Sequence, residues 1–158
     1  MSDSSRIAQG MRSGFLAGGT VVAFFFVSDL LHLTPLSTPA ALGHAVLGPW
    51  AVAIDFPIGS QFANGALYGG KLLTLTGLHF MTFGLLGIGA VAVFDRYQVP
   101  LNIVSGSIFG VVAYSTTFAI GMAMVGGESL TGLPGIGSVA VANLLGGGVM
   151  GGYMQMCE

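Results

Sequence analysis

Four apolar runs, at about 14–33, 72–94, 101–125 and 134–154, constrain this chain more than anything else in it. At a rise of 1.5 Å per residue each covers on the order of 30 Å, the hydrocarbon thickness of a bilayer. In hydrocarbon every backbone N–H and C=O must be paired within the protein, so each run is expected to be a helix. The connectors at 95–100 and 126–133 are short, which makes neighbouring helices antiparallel. Pro100 and Pro134 are expected in first helical turns, where a missing N–H costs little.

Composition supports the same reading. Of the 158 residues 53% are hydrophobic and only 6% are charged, with a mean hydropathy of +0.86. A soluble domain carries about a quarter charged residues. With four Lys or Arg against six Asp or Glu there is no basic patch to neutralise phosphates, so nucleic acid is not expected as a partner. Cys157 is the single cysteine, which excludes an intrachain disulfide and any multi-cysteine metal centre. The first apolar run is longer than the 7–15 residues of a signal-peptide core, and Ser37–Ala40 fits a small-x-small cleavage site only loosely. A retained transmembrane helix is expected.

Residues 34–71 are harder to place. Thr38-Pro39 reads as an N-cap followed by Pro at the first helical position, and Gly48-Pro49 ends the short helix that begins there. Trp50 suits the headgroup level. A short interfacial helix at about 39–48 is expected, giving an all-α membrane protein of four spans in one domain, 1–158. The rival is a fifth span over 39–56. With four spans Arg6, Arg12 and Arg96 lie inside and Lys71 outside; with five, Lys71 and Arg96 exchange sides, so positive charge does not decide. Central Pro49 with Gly48, His44 and a marginal length favours four, with both termini cytoplasmic.

The chain has 27 glycines. Small-xxx-small spacings at Gly10/Gly14/Gly18, Gly106/Gly110, Gly147/Gly151 and Gly148/Gly152 let helix backbones approach closely. Phe24, Phe25 and Phe26 form a bulky block expected to fill core or touch lipid, with a docking surface as the other reading. Met122, Met124, Met150, Met154 and Met156 are expected to be adaptable packing residues.

Four polar residues stand inside or beside the spans: Asp29, His32, His79 and Asn143. By depth all fall in the outer half of the membrane, Asp29 roughly 6 Å, His79 roughly 10 Å and Asn143 roughly 13 Å in. An ionisable group in a span is costly and calls for a partner. The first reading is structural: Asp29 faces the bundle interior, towards the second or fourth helix, and pairs with His79 or Asn143 to fix helix order. The others are a metal site from Asp29, His32, His44 and His79, a proton or ion relay, and His79 as axial ligand to a haem or pigment. No HxxxH or HExxH spacing, nucleophile elbow, P-loop or dinucleotide fingerprint is present. The sequence therefore requires no cofactor and marks no catalytic residue.

The stretch FFFVSDLLHLTPLSTPAALGHAVLG, with Asp29, Pro35-Leu36, Thr38-Pro39 and Leu42-Gly43, together with His79 and Asn143, resembles a family of small, mostly uncharacterised bacterial four-helix integral membrane proteins. Their pattern is an Asp at the end of the first span, a PLxTPxxLG stretch and a His early in the second. Ala142 stands where that pattern has glycine before the Asn. The resemblance implies the four-span architecture and a bacterial inner (cytoplasmic) membrane, and brings no activity with it. Small loops, dense glycine and the lack of a catalytic constellation point to a non-catalytic subunit of a larger respiratory or photosynthetic membrane complex. Such a subunit would touch lipid, other integral membrane subunits and pigment or quinone neighbours. The alternatives are a small ion-coupled transporter using Asp29 and His79, and a membrane haem-, pigment- or metal-binding protein.

Overall fold

The computed structural model describes residues 3–33, 38, 39, 42, 62–124 and 135–157, and only the backbone of residues 3 and 62–72. Most of the described residues are helical, in α1 (Asp3–Leu31), α2 (Phe62–Tyr97), α3 (Ile103–Met124) and α4 (Ile136–Met156). All four are long and apolar enough to cross a membrane. Thr38, Pro39 and Leu42 are helical. The rest of the expected interfacial helix at 39–48, the rival fifth span at 39–56, His44, Trp50 and Pro134 lie outside the described residues.

The helices outrun the apolar stretches where the sequence offers nothing to stop them. No proline precedes Pro35, so α1 starts at Asp3 rather than at residue 14. It ends at Leu31, because Leu33 takes φ 57°, the left-handed conformation that closes a helix. The Leu33 N–H donates to the Leu30 carbonyl at 3.1 Å. The start of α3 corrects the expectation for Pro100. That residue lies ahead of the helix, because Asn102 is the cap. Asn102 Oδ1 accepts from the Ser105 N–H at 3.0 Å, and the Asn102 N–H donates to Ser105 Oγ at 3.1 Å. This reciprocal box satisfies two end donors at once.

Successive helices run antiparallel. α1 packs along α2 and α4, α4 along α1 and α3, and α2 meets α3 around Gly110–Tyr114. The α1–α2 and α3–α4 contacts are made backbone to backbone. A methyl group at Gly87 would collide with the Gly10 carbonyl and stand 2.8 Å from Gly14 Cα. One at Gly147 would collide with the Gly106 carbonyl and stand 2.8 Å from Gly110 Cα. Gly146 brings α4 against α1, its absent Cβ 3.0 Å from the Ala17 carbonyl. The α2–α3 seam is filled instead by rings, Phe83 on Tyr114 at 4.5 Å and Phe94 on Phe109 at 5.7 Å between centroids.

Ala17, Ala90, Val91, Met150 and Met154 complete the core. Phe24 and Phe25 pack against it, while Phe26, Met124 and Met156 are exposed. Large apolar side chains also stand exposed on every helix, among them Leu16, Leu85, Val112 and Val149. Apolar surface outside with glycine and polar side chains inside is the distribution a lipid solvent favours.

Substituting Gly147 by Val should lower the stability of the detergent-solubilised protein by about 1–3 kcal/mol, the usual cost of overpacking. Gly89, whose absent Cβ meets nothing within 4 Å, should accept Ala with a gain of roughly 0.5–1 kcal/mol from helix propensity. Denaturant titration followed by circular dichroism checks both. Equal effects at the two sites would refute the backbone-contact account of α3–α4 packing.

Candidate functional site

Asp29 is 5% exposed near the end of α1. Its Oδ1 accepts the Thr38 hydroxyl at 2.7 Å and its Oδ2 the Thr38 N–H at 2.8 Å. Thr38 is itself buried and helical. Both carboxylate oxygens of Asp29 thus hold Thr38, nine residues further along the chain. Asp29 is expected to face the bundle interior; the structure shows it buried and bonded to Thr38, just beyond α1.

His32 is exposed one turn after Ser28, and its Nδ1–H donates to the Ser28 carbonyl at 2.8 Å. The same carbonyl accepts the His32 backbone N–H at 3.1 Å, so His32 closes the end of α1 with two bonds to Ser28. His79 is half-buried on α2. Its Nε2–H donates to the Gly18 carbonyl of α1 at 3.1 Å. The imidazole lies over Phe83 at 4.6 Å and meets Phe80 edge-on at 5.5 Å. Gly18 permits this approach, since a Cβ there would lie 3.2 Å from the Phe83 ring. Asn143, 4% exposed on α4, donates from Nδ2 to Ser115 Oγ of α3 at 3.0 Å.

The hydrogen bonds described for the four sequence-marked residues run to different partners. His79 ties α2 to α1, Asn143 ties α4 to α3, and Asp29 and His32 act at the end of α1. His79 and Asn143 do lie within about a turn of each other, because Gly18 bonds His79 while Ala17 and Val21 flank Gly146, one turn from Asn143. Asp29 stands further out, roughly 16 Å along α1 from Gly18. Among the described residues no three His, Cys, Asp or Glu side chains converge in a metal-ligating group.

Two features at the level of His79 and Asn143 have no counterpart in the sequence reading. Gly110–Tyr114 forms a single π-turn within α3, which inserts an extra residue and re-phases the helix after it. No side chain of Ser115–Met124 is buried beyond this turn. Tyr114 is 3% exposed and its hydroxyl donates to Met150 Sδ at 3.0 Å. The only trace of this in the sequence is a tyrosine within a span, away from the interface where tyrosines concentrate.

No family model, no curated protein and no solved structure matches this chain.

Hydrogen bonds to charged groups contribute about 1.5–3 kcal/mol. Asp29→Ala should therefore speed hydrogen exchange of the Thr38 amide by about ten- to a hundredfold. An unchanged Thr38 exchange rate would remove Asp29 from this role. For the inner pair, a double-mutant cycle with Asn143→Leu and Ser115→Ala should return a coupling of about 0.6–1.7 kcal/mol, the range of interhelical bonds in membranes. A coupling near zero would mean that the bond adds nothing to α3–α4 pairing.

Proposed function

We propose that this chain is a non-catalytic integral membrane subunit that packs against neighbouring subunits and stabilises a larger respiratory or photosynthetic complex. One observation carries the reading. His79, Tyr114 and Asn143 serve internal hydrogen bonds, while apolar side chains are exposed on all four helices. Backbone-contact packing of α1 on α2 and of α3 on α4 makes a rigid unit. Rigidity suits a scaffold better than it suits a carrier that must rearrange around a substrate. The resemblance to small bacterial four-helix proteins supports a place in the cytoplasmic membrane. Arg6, Arg12 and Arg96 at one end of the bundle support cytoplasmic termini, with the Asp29–Thr38 end and a short interfacial helix at the opposite face.

Extraction of native membranes in a mild detergent, followed by mass analysis of what accompanies the chain, tests this directly. The expected result is a discrete high-mass species in which the chain is stoichiometric with larger integral membrane subunits. Repeated recovery as a lone colourless protein would sink the proposal. Stoichiometric iron or copper, or a visible absorption band belonging to the isolated chain, would replace it with the cofactor-binding alternative.

A further inference from the structure

Antiparallel packing gathers the start of α1 and the ends of α2 and α4 at one end of the bundle, and with them the three arginines of the chain. They are not equivalent. Arg6 on α1 is paired with Asp95 on α2. Arg96 is exposed next to that pair in the last turn of α2. Arg12 lies roughly 9 Å further along α1 than Arg6, nearer the middle of the candidate span. It is exposed, and no ion pair of the described residues includes it.

The surroundings of Arg12 fit an amphiphile. Gln9, one turn earlier, donates to the Met154 carbonyl at 3.5 Å, which places this part of α1 beside the last turns of α4. Tyr153, half-buried, stands at the same level on α4. From Arg12 the outer stripe of α1 runs through Leu16, Gly19, Ala23 and Val27, at the three- and four-residue spacings that share a helix face. Leu16 and Val27 are 45% and 53% exposed, and a Cβ at Gly19 would meet nothing within 4 Å. The stripe is thus a shallow apolar track roughly 16 Å long, headed by a guanidinium.

A bare guanidinium on a lipid-facing surface is costly, and its geometry matches a phosphate with two parallel hydrogen bonds. We propose that Arg12 binds the phosphate of an anionic phospholipid whose acyl chain lies along Leu16, Gly19 and Ala23, with the Tyr153 hydroxyl as a second donor. The proposal rests on the membrane-spanning reading and not on membership of a complex, so a chain that purifies alone still tests it.

Native mass spectrometry of the protein in neutral detergent, with phosphatidylglycerol and phosphatidylcholine in equal amounts, is the experiment. Phosphatidylglycerol should be retained in preference. Arg12→Gln should cut that retention about fivefold, the effect of one basic residue at an anionic surface. Arg96→Gln should leave it unchanged, and Gly19→Leu, which fills the track, should lower it. Equal retention of the two lipids, or equal losses in Arg12→Gln and Arg96→Gln, would overturn the site in favour of general surface charge. If Arg12→Gln does not fold, as judged by circular dichroism, Gly19→Leu and Arg12→Lys decide. Reduced preference in both supports the site, and unchanged preference in either overturns it.

Discussion

Everything else in this fold depends on two places where helix backbones touch. In lipid there is no hydrophobic force to push helices together, so contact must come from van der Waals packing and a few hydrogen bonds. Gly87 against Gly10 and Gly14, and Gly147 against Gly106 and Gly110, remove the side chains that would hold the axes apart. Once these contacts form, the levels of the other residues are set. His79 reaches the Gly18 carbonyl because α1 and α2 are already in register, and Asn143 reaches Ser115 for the same reason.

The two contacts are built alike. In each hairpin the first helix carries glycines four apart, and the second places a backbone carbonyl and then a glycine against them. Gly10, Gly14, Phe83 and Gly87 in the first hairpin match Gly106, Gly110, Asn143 and Gly147 in the second. Both hairpins run in the same sense, so a half-turn about the bundle axis exchanges α1 with α3 and α2 with α4. The match ends at the seams between hairpins. α4 closes on α1 through Gly146 and Ala17, whereas α2 is kept from α3 by Phe83, Tyr114, Phe94 and Phe109. The π-turn of α3 packs on α4 at Gly110 and reaches this wider seam through Tyr114.

The sequence announced the four helices because hydrocarbon allows no other way to pair the backbone of so long an apolar run. It also announced the glycine spacings that make the contacts, though not which pairs would meet, since a spacing names a face and not a partner. Gly148 and Gly152 share the spacing of Gly147 and Gly151, yet face Ser107 and Ile103 side chains rather than backbone. The burial of Asp29 was legible from the cost of an exposed acid in a span. Its bond to Thr38 was not, because depth alone pointed to His79 and Asn143. The π-turn left no signal, since inserting a residue within a uniformly apolar helix changes no periodicity that composition reveals. Pro100 misled for a local reason: Asn102, two residues on, is the better cap.

Matched glycine faces create an ambiguity that the polar residues resolve. If Gly10/Gly14 and Gly106/Gly110 offer similar surfaces, the first could accept α4 and the second α2 with little loss of van der Waals contact. Specificity then has to come from groups that differ between the hairpins. His79 has an acceptor at Gly18 of α1, where the matching position of α3 is Tyr114, whose ring would occupy the space. Asn143 has Ser115 on α3, where the matching position of α1 is Gly19, which has no hydroxyl. Each wrong pairing would leave a polar side chain without its partner in hydrocarbon, a penalty of several kcal/mol by general transfer arguments. Bonds that add only about 1 kcal/mol to the correct pairing can therefore exclude the incorrect one by more. On this argument His79 and Asn143 sit within about a turn of each other because that is where two otherwise interchangeable hairpins must be told apart.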